Sequence, residues 1–257
     1  MTAAAIRVVK LGGRVQSDAA LPAVLASAWQ ASSSLVVVHG GGDEVSALQA
    51  AFGRSSQFVD GKRVTAVEDL DLLRMALSGR ANKRLVAAMV GAGVPAVGIS
   101  GEDAGLLRAV ADMRDTLGEV GTPRDVDAAL VRHLLAGCYC PVISPLARDA
   151  DSIGAGVLNV NGDDAAAAIA VALQAAELLL VSDVEGVLVD GVAVSQLDAE
   201  AARDAIRRGV AHGGMAAKLE AALGALARGV ARVRIGALRA LTDEARGTVI
   251  TLAGVSS

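Results

Sequence analysis

Aromatic residues are almost missing from this 257-residue chain: it has one Trp, one Tyr and two Phe, at Trp29, Tyr139, Phe52 and Phe58. Proteins that bind single-stranded nucleic acid stack bases on rows of aromatic rings, so that platform is excluded, and any nucleotide base must lie mainly against aliphatic groups. Basic blocks are lacking too. With 24 Lys and Arg against 28 Asp and Glu the net charge is −4, which leaves no cationic footprint for a duplex. Small soluble ligands are the expected partners, with no nucleic acid and no membrane.

The two cysteines, Cys138 and Cys140, flank Tyr139. That spacing builds neither a disulfide framework nor a zinc set, so the pair reads as small core residues on one face of a strand, in a reducing compartment. No G-x-x-x-x-G-K-[ST] occurs, which excludes a P-loop enzyme. Gly91-Ala92-Gly93 follows a helical pattern and precedes a strand, the reverse of the order a dinucleotide fingerprint needs. His39, His133 and His212 have no metal-cluster spacing. The most apolar window, Ala165 to Val181, is broken by Gln174 and Glu177 and is too short to cross a bilayer. The start, MTAAAIRVVK, has no signal-peptide pattern, and the expected location is cytoplasmic.

Glycine, by contrast, is placed with a pattern. Leu35 to Glu44 reads LVVVHGGGDE: a buried-strand run, three glycines, then two acids opening a helical pattern. Backbone N–H groups at Gly40, Gly41 and Gly42 can approach an anion closely, and the helix start adds free donors, so the stretch reads as an oxyanion cradle. Ile6 to Leu11 repeats the arrangement, ends in Gly12-Gly13 and carries Lys10 just before the glycines. A lysine in an apolar strand is costly to bury unless an anion or carboxylate meets it.

Along the chain the pattern predicts a helix from Asp18, as cap, to Ser32, with an apolar stripe including Leu21, Leu25 and Trp29. Asp60-Gly61 marks a hairpin with Arg63 on its return arm. Helices follow at Val67 to Leu77 and, after Gly79, at Arg80 to Gly91; then a strand at Pro95 to Ile99, hairpin strands from Leu107 to Val120, a helix at Asp125 to Ala136 and a strand at Pro141 to Ser144. A loop from Asp149 to Gly156 marks a lobe boundary. Beyond it lie Val157 to Asn161, a helix at Ala165 to Gln174, a strand at Glu177 to Ser182, a hairpin about Asp190-Gly191, helices at Ala199 to Arg208 and Met215 to Arg228, a strand at Arg232 to Ile235 and an extended end, Thr248 to Leu252. Strands alternating with helices imply a mostly parallel sheet covered on both faces, with ligands at the carboxyl ends of its strands.

Two further residues bear on chemistry. Gly213-Gly214-Met215-Ala216-Ala217-Lys218 sets a lysine one turn inside a helix that opens on glycines, an echo of Lys10 beside Gly12. Two lysines can neutralise charge on a transferring phosphoryl group. Asp163, after a loop of Asn and Gly, either holds both ammonium groups or caps the next helix, and local chemistry does not choose between these.

Taken in order, VVKLGG, VVVHGGG, DGKRVT, ANK, NVNGDDAA, SDVEGVL and GGMAAK, from Lys10 to about Lys218, resemble the amino-acid kinase family, and within it the branch that acts on N-acetyl-L-glutamate. The resemblance implies an α/β fold, a three-layer αβα sandwich of carbamate kinase-like type with a mostly parallel central sheet. It implies one domain in two lobes, about 1–155 for the acyl amino acid and about 156–257 for ATP. The implied reaction moves the ATP γ-phosphoryl group to the side-chain carboxylate of N-acetyl-L-glutamate, for arginine synthesis. A kinase of a related acylated amino acid, N-succinylglutamate or carrier-linked aminoadipate, and a nucleotide- or oxyanion-binding protein without turnover on the same scaffold, are the alternatives.

By matching motifs, Lys10 and Lys218 would stabilise the transition state and Asp163 would orient them. Gly12, Gly41 and Gly42 would present N–H groups to phosphoryl and carboxylate oxygens. Arg63 would grip the α-carboxylate in a forked contact, and Asn159 would fix the acyl amino acid. Gly12 and Gly13, the segment Asp183, Val184, Glu185, Gly186, Val187 and Leu188, and the turn Val210, Ala211 and His212 would hold ATP. Mg²⁺ is expected on the phosphates, with no protein ligand set. GRSSQFVDGKRVT lacks the proline often present in similar hairpins. Five residues precede Ile6, too few for the N-terminal helix that similar arginine-inhibited hexamers use, and the expectation is a homodimer insensitive to arginine.

Overall fold

Runs of β-branched and leucine residues that can bury both faces become the middle of the sheet. RVVKL, LVVVH, CPVIS and ELLLV form the strands Arg7–Leu11, Leu35–His39, Cys140–Ser144 and Glu177–Val181, almost wholly out of solvent. The computed structural model describes residues 5–59, 61–154, 156–189 and 191–252. Among these, one eight-stranded sheet runs in the order Gln196–Asp198, Thr248–Thr251, Val233–Gly236, Glu177–Val181, Arg7–Leu11, Leu35–His39, Cys140–Ser144, Ala96–Ser100. Neighbours are parallel except Val233–Gly236 with Thr248–Thr251.

Side-chain alternation sorts the core into two layers. Val8, Val36 and Val38 pack with the helices Gly162–Leu173 and Gly214–Ala227, while Val9, Leu11 and Val37 pack with the helices Leu21–Ala31 and Asn82–Gly91. This is the expected αβα sandwich. A separate four-stranded barrel, Leu107–Ala111, Val120–Val126, Leu146–Asp149 and Val157–Val160, stands beside it. Because Leu11 pairs with His39, the glycines that follow these two strands emerge side by side.

Several elements differ from expectation for local reasons. Asp18 does not cap the first helix: its Oδ1 accepts the Ala20 N–H at 2.8 Å in a turn, and the helix opens at Leu21 with proline in its first turn. Gly79 ends nothing. Leu70–Leu73, a π-helical stretch Arg74–Ala81 and Asn82–Gly91 run on as continuous helix. Asp125 lies in the strand Val120–Val126, where its carboxylate meets Arg108 at 2.8 Å, so the next helix starts only at Ala129. The hairpin of Leu107–Ala111 is real, but its return arm is Val120–Val126, with a helical turn Arg114–Leu117 between. Cys138 is not in the core: it is exposed, with φ +59°, and only Cys140 is buried in the strand. Phe58–Val59 pairs with Lys62–Arg63, and Leu188–Val189 with Val192–Ala193, through Gly61 and Gly191 at φ +78° and +79°. Asp60 and Asp190, the other halves of those turn signals, lie outside the described residues.

Candidate active site

Lys10 shares a sheet face with Val8, and that face is covered by the helix Gly162–Leu173. The helix is capped by Asn161, whose Oδ1 accepts the Asp163 N–H at 2.8 Å. Asp163 is therefore not the cap, and its carboxylate is free to face Lys10. Lys10 Nζ lies 2.9 Å from Asp163 Oδ1, and Lys218 Nζ lies 3.4 Å from Oδ2. Of the two roles left open by the sequence, the structure selects the shared carboxylate.

Electrostatics follow from that sharing. Burial works against charge on Asp163, yet Lys10 and Lys218, through charge and hydrogen bonds, hold its carboxyl below the usual value. Burial and then the like charge of Lys10 pull Lys218 below the usual lysine value, against the support of Asp163. Within this trio one positive charge is left over. The cluster calls for an anion.

A cavity of about 230 Å³ opens beside it, lined by Lys10, Gly13, Gly41, Gly42, Arg63 and Asn159 among others. The Gly41 and Gly42 N–H groups, at the start of the helix Gly42–Ala51, have no partner among the described residues. Gly12 departs from its expected role. Its N–H donates to the Val181 carbonyl at 3.2 Å, which makes it a link between adjacent strands. Asn159 donates to Thr65 Oγ1 at 3.0 Å, which sets its amide at the cavity wall.

Arg63 also lines the cavity, but its fork is occupied. Nη1 donates to Gln49 Oε1 and Ser56 Oγ at 2.8 and 2.6 Å, and Nη2 to the Gly42 carbonyl and Ser46 Oγ at 2.8 and 2.9 Å. Phe58 lies under the guanidinium, 4.7 Å from ring centroid to Cζ. Burial holds the Arg63 pKa below its ordinary value. Nothing in the sequence marks Ser46 and Gln49 as partners of Arg63, although their i, i+3 spacing after GGG places both on one helix face.

Of the residues expected to hold ATP, Gly13 lines this same cavity and four others line two further ones. Asp183 and Glu185 line one of about 470 Å³ with Arg14, and Arg14 Nη1 sits 2.9 Å from Asp183 Oδ2. Ala211 and His212 line another of about 710 Å³, together with Lys62 and Asp164. Gly186 is covered, Val187 belongs to the core, and Leu188 is on the exposed second hairpin. Val184 is half-buried and Val210 exposed. Among the described residues no group of three or more His, Cys, Asp or Glu could hold a metal ion. His39, by contrast, is buried at the root of the glycine turn, a placement its isolation in the sequence does not announce.

A sandwich of this topology with a lysine–aspartate–lysine cluster at glycine-tipped strand ends defines a class of phosphoryl-transfer fold. The model of the amino acid kinase family matches residues 5–237, and the chain belongs to that family. It is 45% identical over 243 residues to the acetylglutamate kinase of Chloroflexus aurantiacus J-10-fl, covering 93% of this chain and 94% of that one. Among solved structures, smu.665 of Streptococcus mutans UA159 superposes with a TM-score of 0.84 at 28% identity, covering 96% of this chain and 99% of that one. Carbamate kinase from Giardia lamblia shares the fold, with a TM-score of 0.75 at 15% identity over 98% of this chain and all (100%) of that one.

Proposed function

We propose that this protein transfers the γ-phosphoryl group of ATP to the side-chain carboxylate of N-acetyl-L-glutamate, giving ADP and N-acetyl-L-glutamyl 5-phosphate for arginine biosynthesis. The observation that carries the reading is the pairing of Lys10 and Lys218 on Asp163 beside a cavity edged by the Gly41 and Gly42 N–H groups. The relatives named acetylglutamate kinase support the choice of acid.

A carboxylate oxygen attacks the γ-phosphorus, the bond to the β–γ bridging oxygen breaks, and the electron pair leaves with ADP. Negative charge grows on the transferring group and on the leaving oxygen, where the two ammonium groups offset it in a site largely closed to water. Asp163 keeps both lysines charged and aimed. The acyl amino acid occupies the cavity lined by Asn159 and Arg63, and ATP runs from Gly13, which lines the same cavity, to Asp183 in the cavity of about 470 Å³. Mg²⁺ would be held by the nucleotide phosphates, whose charge it would offset, and not by Asp163, which is already committed to two lysines. Homodimeric assembly and a cytoplasmic location, where Cys138 and Cys140 stay as the free thiols they are, belong to the same reading.

A coupled ADP-release assay over N-acetyl-L-glutamate, N-succinyl-L-glutamate and N-acetyl-L-aminoadipate tests it. Turnover favouring N-acetyl-L-glutamate is expected. Preference for another acid reassigns the substrate, and ATP binding without turnover on any of them defeats the enzymatic reading.

A further inference from the structure

His39 closes its strand fully buried, on the face opposite Lys10, and it makes two polar contacts. Its Nδ1 lies 2.8 Å from the Gly40 carbonyl oxygen and its Nε2 lies 3.1 Å from Asn82 Nδ2. Asn82 Nδ2 also donates to the Val142 carbonyl at 2.9 Å while its Oδ1 accepts from Lys83 Nζ at 3.1 Å, so the orientation of the amide is settled. With a donor on Nε2 and an acceptor on Nδ1, the imidazole is neutral and carries its proton on Nδ1. Burial pushes its pKa down to about 4, which keeps the ring uncharged throughout the neutral range.

The Gly40 carbonyl receives a second donor. Gln16 Nε2, from the short helix Arg14–Ser17 that follows the first glycine pair, reaches it at 2.8 Å. Gly40 is held at its other end too, its N–H donating to the Leu11 carbonyl at 3.1 Å. In a planar trans peptide the C=O of one residue and the N–H of the next point in opposite directions. Two donors that fix the Gly40 carbonyl therefore also fix the direction of the Gly41 N–H. A Cβ at Gly41 would lie 2.7 Å from Leu77 Cδ2, so the π-helical segment Arg74–Ala81 closes tightly over the same turn.

We propose that His39 and Gln16 are positioning residues that hold the Gly40–Gly41 peptide with its N–H aimed at the anionic oxygen bound beside Lys10. This rests on the phosphoryl-transfer reading of the cavity. With either donor lost the peptide is held from one side only and can turn over; its carbonyl would then face the anion, and an N–H contact would be exchanged for a repulsion. Removing one preorganised N–H contact of this kind costs about 10²–10³ in kcat.

Two isosteres separate positioning from packing. In His39→Asn the amide nitrogen falls near the imidazole Nδ1, so the donor to Gly40 survives although Asn82 loses its acceptor. In His39→Gln the amide reaches the Nε2 position, so Asn82 is satisfied while the Gly40 carbonyl is released. The expected result is that His39→Asn keeps most of its turnover with a lowered Tm, while His39→Gln loses about 100-fold in kcat with little change in KM for ATP. Gln16→Leu, at a half-buried site, lowers kcat in the same sense with its Tm retained.

A packing role gives the reverse order, because Asn leaves the larger void; that order, or equal losses in both His39 variants, overturns the proposal. Affinity for inorganic phosphate, measured by calorimetry on the same proteins, keeps the two readings apart. If wild-type protein binds phosphate but turns over no acid, the kinase reading fails, and weaker phosphate binding by His39→Gln than by His39→Asn still upholds the positioning role. Equal phosphate affinities of the two variants overturn it.

Discussion

Lys10 and Asp163 face each other across the sheet–helix boundary, Nζ to Oδ1 at 2.9 Å, with side chains 9% and 4% exposed. A buried pair of this kind stabilises little by itself, because desolvation offsets much of the attraction. Its worth lies in the third member, Lys218, which the same carboxylate keeps charged and in place.

Asp163→Asn is expected to cut kcat by about 10²–10³, since two like charges then lose the group that organises them. Steady-state ADP release checks it, with circular dichroism to show that the fold persists. Near-normal turnover would remove Asp163 from the mechanism.

Lys10→Ala and Lys218→Ala should each lower kcat by about 10²-fold or more with a far smaller change in ATP affinity, because charge on the phosphoryl group develops after binding. Calorimetry with ATP alongside initial rates reads the split. If Lys218→Ala weakened ATP binding and kept kcat, its role would be confined to holding the nucleotide.

Arg63→Ala is expected to raise KM for the acid and to lower Tm as well. The second effect comes from its partners: the Gly42 carbonyl, Ser46, Gln49 and Ser56 lose a common donor, and a buried acceptor left without one costs about 1–3 kcal/mol. Arg63→Lys, a point charge without the fork, should recover neither quantity fully. A change in KM with no change in Tm would show that the acid, not the loop, is what Arg63 holds.

Asp164 gives a pH signature. Burial, the largest cause, raises its carboxyl from 3.8 to about 6, with the neighbouring charge of Asp163 adding to it and that of Lys62 opposing it. Between these two values the unfolded chain has released the proton and the folded one retains it, so stability falls as pH rises and the full cost is present above about pH 6. Asp164→Asn removes that cost and is expected to be more stable than wild type at pH 8 by about 2 kcal/mol, with the gap closing below pH 4. Urea titrations at the two pH values measure it; a pH-independent gap would contradict the cause given.

Glu177 behaves in the opposite sense. Burial disfavours its charge, but Arg234, fully buried at 2.6 Å, and Arg7 at 2.8 Å hold its pKa below the usual value. The stability it contributes is present above pH 4.5 and is lost as pH falls through the lowered folded value. Glu177→Gln leaves the Arg234 charge without its counter-ion and should cost about 3 kcal/mol at pH 7, seen as a lower Tm that converges on wild type in acid.

The sheet was readable in the sequence because its central strands are apolar on both faces, and two of them, Arg7–Leu11 and Leu35–His39, also lead into glycines. Lys10 was readable as a residue that must meet an anion or a carboxylate, because a cation buried in an apolar strand is costly without one, and the structure supplies Asp163. Gly12 was assigned an anion contact that its backbone cannot make, since the Val181 carbonyl of the next strand over takes its N–H, and only sheet pairing reveals that. Arg63, expected to grip the α-carboxylate with its fork, lines the cavity, but the four groups that occupy that fork come from the helix Gly42–Ala51 and the segment around Ser56. The hairpin beginning at Leu107–Ala111 was legible from alternation, but the closed barrel was not, because closing it pairs Val157–Val160 with Val120–Val126 and Leu107–Ala111 with Leu146–Asp149, segments far apart in the chain.

By itself the sequence determined the alternation of strands and helices, the glycine turns at strand ends and the identity of the charges, all of which are properties of neighbours along the chain. Tertiary structure alone decided whether Asp163 is a cap or a counter-ion, which cavities Asp183, Glu185, Ala211 and His212 border, and where His39 and Gln16 point their donors. Those are questions of which groups meet in space, and burial gives each meeting its energetic weight.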